Sequence, residues 1–381
     1  MTRTTIAGLG SLLTGAVLLA GCNDPTGSIS QDRLDVGTPS FAVAGATPMR
    51  LDQVNGTTNA VGTAILKGFN PTNPHRGDAV IATFFWVGSE NIITSVGDHL
   101  TNGRPVGNTY TLVDYVTAGG LSMATYVATN VQNVPDPYNE AMGGDSILVV
   151  QANLSSPITM GGVMLSAYQG VTVSLGAHRA ASGSGSSVTT ASVGAIPVSP
   201  GALVYGVTMA NRVVGVEPPA SPFANVNNMS DPASTLKIDG EYAPQASAGT
   251  VDPQWLWFFN SESAWLATVL TLNPVATNLV FRTQPTTTLP LATIPTVRIA
   301  VEDDLGNTMT SFNGTVTIAI GRNGGLLIPG TLSGTKTVAV VDGIATFSNL
   351  SIDQPGNGYT LRVTSTGLLG AESAAFNIGA F

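Results

Sequence analysis

The stretch AVIATFFWV, residues Ala79–Val87, carries apolar side chains at both its odd and its even positions. Successive side chains of a β-strand point to opposite faces of the sheet. A strand that is apolar at both parities is therefore covered on both faces. We predict that Ala79–Val87 is a central strand in a layered β-structure.

Similar apolar runs follow, separated by turn-forming Gly, Asn and Pro residues, a pattern typical of a β-sandwich. The runs are Thr109–Tyr115, Leu121–Val131, Ser146–Ala152, Val163–Tyr168, Ala202–Met209, Trp255–Phe259 and Trp265–Leu272. Leu121–Val131 alternates more cleanly, which predicts a strand with one face to water. The Ser/Gly run at residues 182–187 is interpreted as a loop or weak edge strand within the domain.

Composition supports an all-β chain. Charged residues make up only 10% of the 381 residues, there are 44 glycines, and amphipathic helical patterns are missing. The length suffices for two domains. The formal net charge of −9, without any Lys/Arg cluster, argues against nucleic acid as a partner.

Residues 275–381 show a cleaner alternation. Val297, Ile299 and Val301 are predicted to point inward, and Arg298, Ala300 and Glu302 outward. Asp342-Gly343 suits a tight hairpin turn. Tyr359, at the start of a late strand, stands where a tyrosine corner would form.

The N-terminal residues resemble a bacterial lipoprotein signal. Arg3 precedes an apolar stretch from Ile6 to Leu19, and Leu19-Ala20-Gly21 precedes Cys22, the single cysteine. Leu19–Cys22 resembles the lipobox, which implies cleavage before Cys22 and acylation of that residue. An ordinary signal peptide followed by a chance cysteine is the alternative. Because no other thiol exists, no disulfide is expected.

Two further resemblances concern the folded part. Arg76-Gly77-Asp78, Asp98 with Gly107-Asn108-Thr109-Tyr110, and Tyr168-Gln169-Gly170-Val171 are similar to a jelly-roll-type module of secreted bacterial proteins, although residues 99–106 separate Asp98 from Gly107 here. The sequences at residues 278–281, 301–307 and 343–350 resemble bacterial immunoglobulin-like repeats of surface and adhesin-type proteins. Both resemblances imply fold and display rather than catalysis.

We therefore predict an all-β protein of two tandem β-sandwiches, a larger jelly-roll-like one and then an immunoglobulin-like one. The expected segments are a signal peptide (1–21), a flexible tether (22–47), the first sandwich (48–274) and the second (275–381).

Residues able to support chemistry are few and scattered. The three histidines, His75, His99 and His178, are far apart, so no metal site and no cofactor are predicted from them. Asp239-Gly240-Glu241 has the residue types of a glycosidase, but Gly240 is interpreted as a turn.

Two weaker site candidates remain. Trp255 and Trp257 share a strand face and could stack on sugar rings, although a core position is the stronger interpretation. Asp303, Asp304 and Asn307 could bind Ca²⁺ weakly, although a role in a turn is the stronger interpretation.

The sequence predicts a non-enzymatic display, adhesion or binding protein, lipid-anchored to the cell envelope at the outer membrane or the cell surface. Its expected partners are the membrane, through N-terminal acyl chains, and glycans or other surface proteins. A carbohydrate-binding lipoprotein is the alternative, and an envelope hydrolase is a third hypothesis.

Overall fold

A computed structural model describes residues 48–70, 72–132, 147–169, 172–231 and 236–379. These residues form strands and turns and contain no helix, which confirms the predicted all-β class. No helix long and apolar enough to cross a membrane occurs among them. Cys22, the signal sequence and the tether (22–47) lie outside the described residues.

The first part of the chain contains two large sheets. Its strands are β1 Leu51–Gly68, β2 Ala79–Val87, β3 Ile93–Leu100, β4 Thr111–Ala118, β5 Leu121–Ala128, β6 Leu148–Tyr168, β7 Val173–Gly185, β8 Val188–Ser192, β9 Ile196–Val198, β10 Leu203–Asn211, β11 Val213–Glu217, β12 Ala224–Ser230, β13 Leu236–Pro244, β14 Gly249–Val251, β15 Gln254–Phe259 and β16 Ser263–Pro274. One sheet has the order β1-β6-β2-β5-β4, with β3 also paired to β6, and the other has the order β12-β13-β10-β16-β7.

Strand β2 is central, as predicted. It pairs antiparallel with β5 on one side and with β6 on the other. Every side chain from Ala79 to Trp86 is buried, and only Val87 is exposed. Burial on both faces explains why both parities are apolar.

Apolar clusters cover both faces of β2, and a third cluster covers the outer face of the second sheet. Ile81 and Phe85 of β2 pack with Tyr205 and Leu270 of the facing sheet, forming the core of a β-sandwich. Side chains of the opposite parity belong to a second cluster on the outer face of the first sheet. The outer face of the second sheet is covered by a small sheet, β11-β15-β8.

Of two sequence predictions about individual strands, one is confirmed and one is wrong. The Ser/Gly run lies partly in β7, which is the edge strand of its sheet, so the edge-strand interpretation is confirmed. The prediction that Leu121–Val131 turns one face to water is wrong, because every side chain of β5 is buried. The outer apolar cluster, which includes Ala124 and Tyr126, covers the face that was expected to be wet.

The second part of the chain is built from shorter strands. They are β17 Asn278–Thr283, β18 Val297–Glu302, β19 Thr315–Ile320, β20 Leu332–Ser333, β21 Thr337–Ala339, β22 Ile344–Phe347, β23 Ser351–Ile352, β24 Gly356–Tyr359, β25 Leu361–Thr364, β26 Ala371–Glu372 and β27 Phe376–Ile378. The two main sheets, β17-β18-β22 and β21-β19-β25-β26, enclose a core that includes Val297, Ile318 and Leu361.

Local sequence features of this part are confirmed. The Tyr359 hydroxyl donates a 3.0 Å hydrogen bond to the Gln354 carbonyl, which is the contact of a tyrosine corner. Asp342 and Gly343 both have positive φ, 49° and 76°, as a two-residue type I′ hairpin turn requires.

The predicted outward set on β18 is only partly correct. Arg298 is exposed, but Ala300 is fully buried and Glu302 is 6% exposed. The Glu302 carboxylate forms a 2.7 Å ion pair with Arg282, which lets a charged side chain lie at a buried position.

Ile81→Ala in β2 is expected to lower the free energy of unfolding by about 2–5 kcal/mol. The substitution leaves a cavity in the core between the two large sheets, and the packed strands around it cannot move in to fill it. Urea unfolding followed by tryptophan fluorescence measures the change. Val61→Ala in β1 is the control, because Val61 is 68% exposed and its truncation should alter stability by less than about 0.5 kcal/mol. Equal effects of the two substitutions would contradict the layered packing.

Candidate functional site

The register of the first sheet brings three strand ends to one place. Tyr168, the last residue of β6, is paired with Leu51 at the start of β1 and with Ala79 at the start of β2. Asp52, Asp78 and Gln169 each lie within one residue of these paired positions. Three polar side chains that are distant in sequence therefore lie together at the end of the sheet where these strands begin or end.

Asp52, His75 and Asp78 form the centre of this cluster. Their potential ligand atoms all lie within 4.8 Å of one another. His75 Nδ1 lies 2.7 Å from Asp52 Oδ2, and the His75 backbone N–H donates a 2.8 Å hydrogen bond to Asp78 Oδ2. The backbone N–H of Asp78 donates in turn to the His75 carbonyl at 3.1 Å, which fixes the turn that carries both residues.

A second set of hydrogen bonds orients the Asp52 carboxylate. Gln169 Nε2 donates a 2.9 Å hydrogen bond to Asp52 Oδ1. Arg50 Nε donates to Gln169 Oε1 at 3.0 Å, which orients the amide so that its NH₂ group faces Asp52. The orientation of Asp52 is therefore set by a chain of hydrogen bonds.

The cluster opens into a small cleft of about 150 Å³. Pro48, Arg50, Arg76 and Gln169 line it together with His75 and Asp78, and Leu305 of the second part closes one side. Leu305 is held near this place because Asp304 Oδ2 accepts hydrogen bonds from the backbone N–H and the hydroxyl of Thr172, at 3.1 and 2.8 Å.

Asp78 is the unusual member of the cluster. Its side chain is 1% exposed, and its Oδ1 accepts no hydrogen bond from any described N–H or O–H group. Burial, together with the hydrogen bonding and charge of the nearby Asp52 carboxylate, raises the pKa of Asp78 from 3.8 to about 7.

The cluster presents two carboxylates and one imidazole to a common centre, and its neighbours are fixed by hydrogen bonds. This set of oxygen and nitrogen donors suits a divalent cation. Sequence reasoning missed it because Asp52 is brought to His75 only by strand pairing. The local signal was His75-Arg76-Gly77-Asp78, in which an imidazole and a carboxylate share one short turn.

The other two histidines have ordinary partners. His178 Nδ1 lies 3.0 Å from Asp114 Oδ2. His99 contacts the Leu100 carbonyl through Nδ1 at 2.7 Å and Gln151 through Nε2 at 3.1 Å. Neither histidine belongs to a group of three potential metal ligands within the described residues.

Asp98 anchors the loop at residues 99–106. Its carboxylate accepts hydrogen bonds from the backbone N–H groups of Gly107 and Asn108, from the Asn108 side chain at 2.6 Å and from the Tyr110 hydroxyl. These contacts close the loop at residues 99–106 despite its length. Asp98, Asn108 and Tyr110 therefore stabilise the connection between β3 and β4.

Trp255 and Trp257 do not face solvent. Both rings are 0% exposed and belong to the apolar cluster between the second large sheet and the small sheet above it. Trp257 Nε1 donates a 3.1 Å hydrogen bond to the Thr208 hydroxyl inside this layer. A ring without exposed surface cannot stack on a sugar, so the core interpretation of Trp255 and Trp257 is confirmed and the alternative of a carbohydrate-facing role is wrong.

Asp239 and Glu241 lie on one face of β13, because the strand continues through Gly240. The interpretation of Gly240 as a turn is therefore wrong. A Cβ atom at Gly240 would lie 2.5 Å from Met164 Sδ, which explains the glycine by close packing of the two sheets. The side chains of Asp239 and Glu241 are 0% and 2% exposed, so a substrate in solution cannot contact them.

Burial dominates the electrostatics of this pair. Burial is the main cause that raises the pKa of Asp239 from 3.8 to about 6. Burial and, to a smaller extent, the charge of Asp239 raise the pKa of Glu241 from 4.5 to about 8. Hydrogen bonds from Asn228 to Asp239 and from Asn225 to Glu241 offset only part of this effect.

The weak calcium candidate lies in a turn between β18 and β19. Asp303 Oδ1 accepts hydrogen bonds from the backbone N–H groups of Leu305 and Asn307, and Asp303 Oδ2 accepts one from the Asn307 side chain, each at 2.9 Å. Asp304 points to Thr172 instead. The structure therefore does not direct the oxygen atoms of Asp303 and Asp304 to a common centre.

No protein-family model matches this sequence, and no curated protein matches it.

Glu241→Gln is expected to make the protein more stable than the parent at about pH 8, with a smaller gain at about pH 5. The folded-state pKa of Glu241 lies above its unfolded value of 4.5, so the folded parent retains a proton that the unfolded chain releases. Its contribution to stability is complete below about pH 4.5 and is lost as the pH rises toward about 8. Urea unfolding at the two pH values measures the difference.

Glu217→Gln on β11 is the matched control, because Glu217 is exposed. It should leave the pH dependence of stability unchanged. A Glu241→Gln variant that follows the parent at both pH values would contradict the buried, protonated state of Glu241.

Proposed function

We propose that this chain is an exported, lipid-anchored cell-envelope protein whose β-sandwiches form a non-enzymatic display or binding module. Leu19-Ala20-Gly21-Cys22 carries the proposal, because the single cysteine stands at the position where a lipobox requires one. Acyl chains on Cys22 would hold the protein at a membrane, since two or more chains anchor stably whereas one is marginal. Residues 23–47 would give the folded part its reach.

The architecture supports the display role. Four apolar clusters are distributed over the sheets, so the described residues form a scaffold with well-packed cores. Loops at the ends of such a scaffold are the usual contact regions of β-sandwich proteins. The tip Leu326–Ile328 exposes three successive apolar side chains, with Leu327 at 96% exposure. Asn323 fixes its base through hydrogen bonds to the Gly330 backbone at 2.8 and 2.9 Å.

The alternatives receive less support. A carbohydrate-binding lipoprotein based on Trp255 and Trp257 loses its basis, because neither ring is accessible. An envelope hydrolase would need catalytic residues that converge in an accessible cleft, and the glycosidase-type pair Asp239 and Glu241 gives it no support because both carboxylates are buried. The non-enzymatic role is therefore the one we propose, with the outer membrane or the cell surface as the location.

Cys22→Ser is expected to abolish incorporation of radiolabelled palmitate and to release the chain from the membrane fraction, because no second cysteine can take its place. Labelling of bacterial cells that express the full chain, followed by fractionation, measures both effects. Ser28→Ala, which lies in the same tether, is the control and should be labelled like the parent. A Cys22→Ser variant that is still labelled would contradict lipidation at this residue.

A further inference from the structure

We propose that Asp52, His75 and Asp78 bind one divalent first-row transition-metal cation, with Zn²⁺ as the best match, at the base of the cleft. The proposal is independent of lipid anchoring and assigns a metal site to the first sandwich.

The first argument is geometric. Two carboxylates and an imidazole have one ligand atom each within 4.8 Å of the others, so a single ion could contact all three after small rotations of the side chains. His75 is exposed and the cleft is open, which leaves room for water or another small ligand to complete the coordination. Three protein ligands plus an open position are typical of accessible zinc sites.

The second argument is the state of Asp78. A carboxylate that is 1% exposed, with an oxygen that accepts no hydrogen bond from a described donor, is costly to bury. A cation between Asp52 and Asp78 would remove this cost, because it satisfies the oxygen and replaces the repulsion between the two carboxylates by attraction.

The third argument is the support behind the ligands. The hydrogen bond from Gln169 orients Asp52, and the bond from Arg50 orients Gln169. The backbone hydrogen bonds between His75 and Asp78 fix the other two ligands relative to each other. Metal ligands in proteins are held in this way by outer hydrogen bonds, which tune both their orientation and their basicity.

The donor set selects the class of cation. Imidazole favours Zn²⁺ and its neighbours in the first transition row, whereas Ca²⁺ requires six to eight oxygen ligands. Mg²⁺ prefers oxygen ligands and retains its water. We therefore expect Zn²⁺ to bind more tightly than Ca²⁺ or Mg²⁺.

The chain contains a natural comparison. His178 and Asp114 form the same kind of contact at 3.0 Å, but no third ligand joins them among the described residues. If a lone His–Asp pair sufficed for binding, both places would bind the metal. The proposal requires that only the cluster with Asp78 does so.

The test uses the full chain carrying Cys22→Ser, so that its thiol cannot bind metal, after treatment with EDTA and removal of the chelator. Isothermal titration with ZnCl₂ should show one site per chain. Thermal unfolding at a Zn²⁺ concentration about a hundredfold above the dissociation constant should show a midpoint raised by about 5 °C. CaCl₂ and MgCl₂ at the same concentration should give little shift.

Asp78→Asn and His75→Gln should each weaken Zn²⁺ binding by at least about tenfold, because each removes a ligand. Asp78→Asn should remain folded without metal, since its amide can donate to Asp52 where the carboxylate repels it. His75→Gln is the second variant, at a position whose side chain is 55% exposed. Asp114→Asn is the matched control and should bind Zn²⁺ like the parent.

Co²⁺ provides a spectroscopic check. Its visible absorption bands should appear with the parent and with Asp114→Asn and should be lost with Asp78→Asn. The proposal is overturned if the parent does not bind Zn²⁺ or if Asp78→Asn and His75→Gln bind it like the parent. Loss of binding in Asp114→Asn alone, or equal stabilisation by Ca²⁺, would also overturn it.

Discussion

The burial of β2 on both faces is the constraint on which the rest of the structure depends. Because Ile81 and Phe85 pack against the facing sheet while Val80 and Phe84 pack against the outer cluster, neither face can be left uncovered. The chain therefore needs an apolar layer on each side of this sheet. A sandwich of two sheets whose outer faces were open to water would leave Val80 and Phe84 exposed. The facing sheet is covered in the same way by the layer that contains Trp257.

The same constraint positions the candidate site. Asp78 immediately precedes β2, and its carbonyl accepts a 3.0 Å hydrogen bond from Val131, just beyond β5. Asp52 is placed by the pairing of β1 with β6, and Gln169 by the end of β6. Asp52 and Asp78 are thus placed by the ends of paired strands, and His75 is fixed by the hydrogen-bonded turn that precedes β2. Preorganisation of this kind is what a binding site requires.

The sequence predicted features that depend on neighbours along the chain. The double parity of β2, the Asp342-Gly343 turn and the Tyr359 corner each rest on a short local pattern, and each is confirmed. Predictions failed where a second layer decided the outcome. The face of β5 that was predicted to meet water is covered by the outer cluster. The Asp52–His75–Asp78 cluster could not be predicted, because it depends on strand register.

The central claim is that two-sided burial of β2 holds the Asp52–His75–Asp78 cluster in place before any ligand binds. Native-state amide hydrogen exchange of the metal-free chain tests it most directly. The account predicts that the amides of His75 and Asp78, which are hydrogen-bonded, exchange as slowly as those of Val80 and Phe84 inside β2. Exchange of the His75 and Asp78 amides as fast as that of the exposed loop at residues 89–91 would contradict it.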